Sequence, residues 1–183
     1  MTRTIALLFL SVVCFSAAVQ AQAPAPKPDP EVKRMHAWVG HWTFEGEFKP
    51  GPLGPGGKTT GEFSCRMILG GFFLQCQMSG KVAEGEMRDL EMYGYDPMSK
   101  NFSSAYYFGD GSRITAVLGI TGNTWTFAGK WIVAGKQYEF KDSVTLAHDL
   151  MSATEKAEIS ADGETWTPVV EDKWTKVPPA AKK

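Results

Sequence analysis

Three histidines, two mid-chain cysteines and a scatter of carboxylates are the side chains of this sequence that could do chemistry. His36 and His41 are five residues apart with no carboxylate cluster beside them, so they do not make a metal site, and no metal is expected. His148 shares strand parity with Val144 and Leu146, which would bring it to an inward face; its place before Asp149 at a turn fits a rim position equally well. Arg88 shares parity with Leu90 and Met92, and Tyr106 with Phe102. Together Arg88, Tyr106 and His148 could fix a ligand carboxylate or hydroxyl inside an apolar cup. The plainer reading of Arg88 is a side chain near a strand start that reaches solvent. Asp89, Glu91, Glu139 and Asp142 could approach one another, but nothing in their spacing sets two of them on one pocket wall, as paired-carboxyl catalysis requires. No Gly-x-Ser-x-Gly elbow, phosphate-cradling glycine loop or His-Glu-x-x-His helix occurs. The motifs favour binding over catalysis and call for no cofactor. A small lyase- or cyclase-type enzyme is the least favoured reading.

The cysteines are more informative about structure. Cys65 and Cys76 flank Gly70-Gly71, a turn dipeptide between two β-rich runs. Folding the chain there pairs residues whose numbers sum to 141, which sets Cys65 against Cys76, Met67 against Leu74 and Phe63 against Met78 on one apolar face. Arg66 then meets Gln75 and Ser64 meets Gln77 on the other. A slip of one residue would scramble both faces. Opposed cross-strand positions are close enough for a disulfide, and no Cys-x-x-Cys or electropositive setting points to redox or metal chemistry instead. Buried free thiols are the alternative.

The elements that must carry these residues are almost all strands. Asp29, Pro30 and Glu31 open a short helix that would place Val32, Met35, His36 and Val39 near one face before Gly40. Runs with a two-residue period then follow, from Trp42-Thr43-Phe44 through Met87 to Tyr95, Phe102 to Phe108, Arg113 to Ile120, Asn123 to Trp131, Gln137 to His148, Met151 to Ile159 and Thr165 to Val177. Asp110-Gly111, Gly122-Asn123, Ala134-Gly135 and Asp162-Gly163 separate them as turns. About ten antiparallel strands in sequence order suit a meander, and closing it into a barrel removes exposed edges. A sandwich is the second choice.

Length and composition bound the rest. The chain has 183 residues and a formal net charge of −1, enough for one domain with a real core and too evenly charged for nucleic acid. Arg3, the apolar run Ile5 to Phe15 and the small residues after it read as an export signal over residues 1–21, cleaved after Ala21. That run is short of the roughly 20 residues a membrane span needs, and no later segment could span. A Pro/Ala-rich linker, 22–29, the barrel domain, 30–177, and a tail, 178–183, complete the expected organisation of a periplasmic or secreted protein.

Gly40-His41-Trp42 after a short helix resembles the Gly-x-Trp signature of lipocalin-like, or calycin, barrels. With Leu69-Gly70-Gly71-Phe72-Phe73-Leu74, Gly94-Tyr95-Asp96-Pro97-Met98-Ser99-Lys100 and the late Asp162-Gly163-Glu164-Thr165-Trp166, it resembles the bacterial domain of unknown function 1579 family over roughly Met35 to Lys176. The resemblance implies a calycin-like all-β antiparallel barrel and no particular activity. It also implies architectural roles for these residues, with Trp42 closing the barrel floor. Nitrobindins, relatives by fold, ligate haem through a late-strand histidine. Only His148 sits on a suitable strand here, with no surrounding motif, so haem is not expected.

A small barrel is either filled by its side chains or holds one small ligand. With 6 Trp, 11 Phe and 8 Met the chain can line an apolar pocket. Trp125, Phe127 and Trp131 share one parity, and Phe102, Tyr106 and Phe108 another. The candidate ligand-binding set is Arg88, Met92, Phe102, Tyr106, Trp125, Trp131 and His148, for a small apolar or amphipathic molecule. The alternative is a filled barrel that serves as an envelope structural or interaction module.

Overall fold

A computed structural model describes residues 26–83 and 85–179. The proposed signal segment, its cleavage site, half of the linker and most of the tail lie outside these residues.

The 3₁₀ helix Pro30–Trp38 comes first, its N-terminus capped by Asp29, whose carboxylate accepts the Glu31 N–H at 2.9 Å. At three residues per turn it buries Val32, Met35 and Trp38 on one stripe. This corrects the α-helical spacing expected from sequence, which had placed His36 on the inner face; His36 is exposed.

Ten strands follow: β1 (Gly40–Phe48), β2 (Gly57–Ile68), β3 (Phe73–Val82), β4 (Gly85–Asp96), β5 (Asn101–Phe108), β6 (Arg113–Thr121), β7 (Thr124–Val133), β8 (Lys136–Leu146), β9 (Ser152–Ser160) and β10 (Thr167–Val177). Each pairs antiparallel with its neighbours in sequence, and β1 pairs with β10 to close the barrel. The alternation of buried and exposed residues is clean on β6, where Ile114, Ala116 and Leu118 point in. The β2–β3 hairpin has the register expected from its sequence, with Cys65 opposite Cys76 and Phe63 opposite Met78. The two sulfurs are bonded, with the Cα atoms 4.1 Å apart.

One end of the barrel is sealed by aromatic packing. Trp42 is fully buried, and its indole N–H donates to the Trp38 carbonyl at 2.9 Å, tying the helix to β1. Trp38 also packs on Trp125 and Trp174, with ring centroids 5.6 and 5.5 Å away. Lys176 donates to the Ala37 carbonyl at 3.0 Å from the last strand. The glycine before this pair, Gly40, has φ +130°, a backbone that side-chain-bearing residues rarely adopt.

Two turns use aspartate in place of longer loops. Asp96 accepts from the Met98 N–H and the Ser99 hydroxyl between β4 and β5. Asp162 accepts from Ser160, Glu164 and Thr165 between β9 and β10, which pulls its carboxyl well below the usual range. The Asp162-to-Trp166 motif is therefore a turn, with Trp166 under the Lys141 ammonium at 3.6 Å.

The Cys65–Cys76 link closes a loop of sequence separation 11, short enough that its loss is expected to cost about 3 kcal/mol. Chemical denaturation of the Cys65→Ala/Cys76→Ala protein, followed by circular dichroism, tests this. A folded barrel with a lower midpoint is expected, and an unchanged midpoint would show that the strand ladder alone holds the hairpin.

Candidate functional site

Above the aromatic floor the barrel is hollow. A cavity of about 530 Å³ runs from Trp38, Phe63 and Trp174 to the opposite rim, where Leu53, Met87, Phe108 and Asp110 line it. The rim belongs to the loops β1–β2, β3–β4 and β5–β6, so the helix closes one end and the cavity reaches the other.

The wall is aromatic over much of its area. Trp131 stacks on Phe108 with centroids 5.9 Å apart and meets Phe140 edge-on at 6.0 Å. Tyr93, Tyr106 and Phe127 form a second cluster with edge contacts. The disulfide also lines the cavity.

Carboxyls interrupt this wall. Asp89 and Glu91 of β4, Asp142 of β8, Glu155 of β9 and Asp172 of β10 all line the cavity. The register explains how they arrive there. Glu91 lies opposite Cys76 and Tyr106, Val144 opposite Glu155, and Glu155 opposite Asp172. Gly46 lies opposite Asp172 on β1, where a Cβ would collide with the Asp172 carboxylate. The absent side chain leaves that carboxylate room to accept the Thr59 hydroxyl.

Tyr93 donates its hydroxyl proton to Glu91 at 2.6 Å, and the Tyr106 hydroxyl lies 3.3 Å from Tyr93 Oη. Asp142 is only 7 % exposed, and its Oδ1 has no hydrogen-bond partner among the described residues; nor has Trp131 Nε1. An unpaired buried polar atom is costly unless something fills the space beside it.

These groups resist ionisation. Desolvation pushes Asp142 up to about 8, helped by the Asp172 charge, and pushes Asp89 up to about 7. Glu91 is raised well above the ordinary carboxyl range by burial and then by the Asp89 charge. Glu155 is raised in the same way, by desolvation and then by Asp142 and Asp172. Burial lifts both Tyr93 and Tyr106, with Glu91 adding to the effect.

The structure sorts the residues expected from sequence. Tyr106 and Trp131 line the cavity. Phe102 and Trp125 are buried but pack in the floor, 6.4 Å apart, with Trp125 against Trp38. Arg88 touches the rim only; its side chain is 77 % exposed and its guanidinium reaches Glu86 at 3.7 Å. Met92 shares that outer parity of β4, the opposite of the expected face, because Asp89, Glu91 and Tyr93 point inward. His148 is exposed, since β8 ends at Leu146 and the chain turns before reaching it. Of the carboxylates singled out from sequence, Asp89, Glu91 and Asp142 meet in the cavity, and Glu139 does not line it. Tyr93, Glu155 and Asp172 were missed. Glu155 carried a signal, because it shares parity with Ala153, Ala157 and Ile159.

Fold and site together define a small closed antiparallel β-barrel with a polar-spotted internal cavity and one plugged end. The chain belongs to the DUF1579 family, described as proteins of unknown function, whose model matches residues 27–176. In fold it is similar to the crystal structure of Rv2717c from M. tuberculosis, with a TM-score of 0.63 and 11% sequence identity. The match covers 83% of this chain and all of that one. No curated protein matches the chain.

The raised carboxyls set a pH dependence. Each holds its proton in the folded barrel at pH values where the unfolded chain has lost it, so the folded state binds more protons and stability falls as pH rises from about 4 to about 8. For Asp142 the rise from 3.8 to about 8 corresponds to a cost on the order of 5 kcal/mol once the group is ionised in the fold. Thermal unfolding from pH 4.5 to 8.5 should show a falling midpoint, and Asp142→Asn should raise the midpoint at pH 8 while leaving it nearly unchanged at pH 4.5. A pH-independent gain in the variant would mean that ionisation is not what the wild-type residue costs.

Proposed function

We propose that this protein is an exported, calycin-like binding barrel that takes a small amphipathic molecule into its interior. The single observation that carries this reading is the cavity, about 530 Å³, lined by aromatic rings on which buried polar atoms are left unpaired. A barrel filled by its own side chains would have spent Trp131, Phe108 and Phe140 on mutual packing across the axis; here they line a void. Export is supported by the signal-like first residues and by a disulfide, a bond that persists in oxidising compartments. The meander with one end closed by a short helix and a buried tryptophan supports the calycin-like classification.

The polar atoms divide the wall in a way that suits an amphipathic guest. Phe108, Trp131 and Phe140 offer flat apolar contact, and Glu91, Tyr93 and Asp142 offer hydrogen bonds at mid-strand positions. Such fixed polar groups in an apolar cup orient a ligand.

N-phenyl-1-naphthylamine, an uncharged fluorophore of suitable size, should bind with micromolar affinity, a blue-shifted emission and energy transfer from the cavity tryptophans. Val170→Trp, which fills the cavity from β10, should weaken that binding at least tenfold with the fold retained. Equal binding by wild type and filled variant would place the probe on the outer surface and remove the support for an interior site.

A further inference from the structure

We propose that the guest is an organic cation: a protonated amine on an apolar body, its ammonium seated among Glu91 on one wall and Asp142 and Glu155 on the other. The inference rests on the interior-binding reading above and narrows its ligand class.

Charge complementarity is the first ground. Five carboxyl groups face the cavity from β4, β8, β9 and β10, and the two tyrosine hydroxyls from β4 and β5 join them. Glu86 and Asp110 add acid at the rim. Arg88 is the one basic residue among the described lining residues, and its guanidinium points away toward Glu86 and solvent. Lys176 sits beyond the floor, over the Trp42 ring and bonded to the Ala37 carbonyl. Among the described residues the acids therefore meet no cation.

The second ground is independent of the number of acids. Asp142 is more than nine-tenths buried and lines the cavity, and one of its carboxyl oxygens, Oδ1, has no donor among the described residues. A tetrahedral ammonium supplies three donors for carboxyl acceptors. Phe127 lies opposite Asp142 on the β7–β8 ladder and Tyr106 packs on its ring, so aromatic rings, which attract cations, stand beside the acid.

A metal ion fits less well. No three His, Cys, Asp or Glu side chains among the described residues converge in a metal-holding group. The apolar body of an amine would also cover the aromatic wall, which a bare ion leaves uncovered.

Binding should also move protons. Burial pushes Asp142 up to about 8 and raises Glu91 and Glu155, which favours their protonated forms. An entering ammonium favours the carboxylate, so one carboxyl gives up its proton to solvent as the cation enters, and the total charge in the barrel is conserved.

Calorimetric titration of the full-length mature protein with matched ligands tests the proposal. Two skeletons are used: tryptamine, tryptophol and indole-3-acetate, and decylamine, decanol and decanoate. At pH 8 each amine should bind at least tenfold tighter than its alcohol, with the acid weakest. Amine affinity should rise about tenfold between pH 6.5 and 7.5, and over that range the heats in phosphate and MOPS should differ by the ionisation heat of close to one released proton. Asp142→Asn and Glu155→Gln should each weaken the amines about tenfold, leave the alcohols within twofold, and reduce the proton release. Alcohols or acids binding as tightly as the amines would overturn the cation while leaving an interior binding site standing. If no ligand of either skeleton binds and N-phenyl-1-naphthylamine also fails, both readings fall.

Discussion

Closure of the strand ladder is the constraint on which the other features depend. In an open sheet a strand can slip by one residue at modest cost, and its faces exchange. In this barrel every strand is paired on both sides, so a slip in one would have to be matched in all ten. The bonded pair Cys65 and Cys76 faces inward at one point of the ring. From there each register passes the inward parity to the next strand: Cys76 to Glu91, Glu91 to Tyr106, and Tyr106 to Ile114. The carboxyls are inside because the ladder puts their positions inside, whatever their own preference for water.

That preference is considerable, and the barrel meets it with packing elsewhere. The floor is dense: Trp38, Trp42, Phe63, Trp125 and Trp174 interlock with centroid distances of 5.1 to 5.8 Å. Each fully buried aromatic contributes on the order of 2–3 kcal/mol, so this end can sustain a cavity above it that is poor in contacts and rich in unwilling acids. The helix is part of the same arrangement. Without Val32, Met35 and Trp38 the barrel would be open at both ends, and solvent would reach the floor aromatics. Stability is concentrated at one end and the polar, imperfectly satisfied groups lie above it, a division common where a site is maintained at the expense of the fold.

Much of this was legible in the sequence, because two-residue periodicity, turn dipeptides and one hairpin register are local signals. The strand count, the meander and the Cys65–Cys76 pairing follow from them. The face of β4 was misjudged because Leu90 and Met92 alternate with the acids Asp89 and Glu91 at mid-strand, and the usual rule sends apolar residues inward. That rule presumes a dry core, and a cavity lined with acids breaks it. The turn at Val82 and Gly85, which pair across the β3–β4 hairpin, would have corrected the error: residues across it sum to 167, and Cys76 then selects Glu91. His36 was misplaced for a related reason, since helix type sets the stripe and α and 3₁₀ spacing choose different residues.

Asp172 marks where such propagation stops. The β9–β10 hairpin starts with Thr167 opposite Ile159, a sum of 326, which would send Asp172 outward opposite Thr154. A bulge between Pro168 and Val170 adds one residue, changes the sum to 327, and turns Asp172 and Trp174 inward opposite Glu155 and Ala153. Pro168 hints at an irregularity, because a proline cannot donate to the ladder, but it does not say on which side the extra residue falls. Only closure against β1 decides that: Phe44 meets Trp174 and Phe48 meets Val170, and both pairs need their apolar rings and branches inside. The last carboxyl of the cluster is thus fixed by contacts more than a hundred residues away in sequence, which is why a local reading found three of the five acids and could not assemble them.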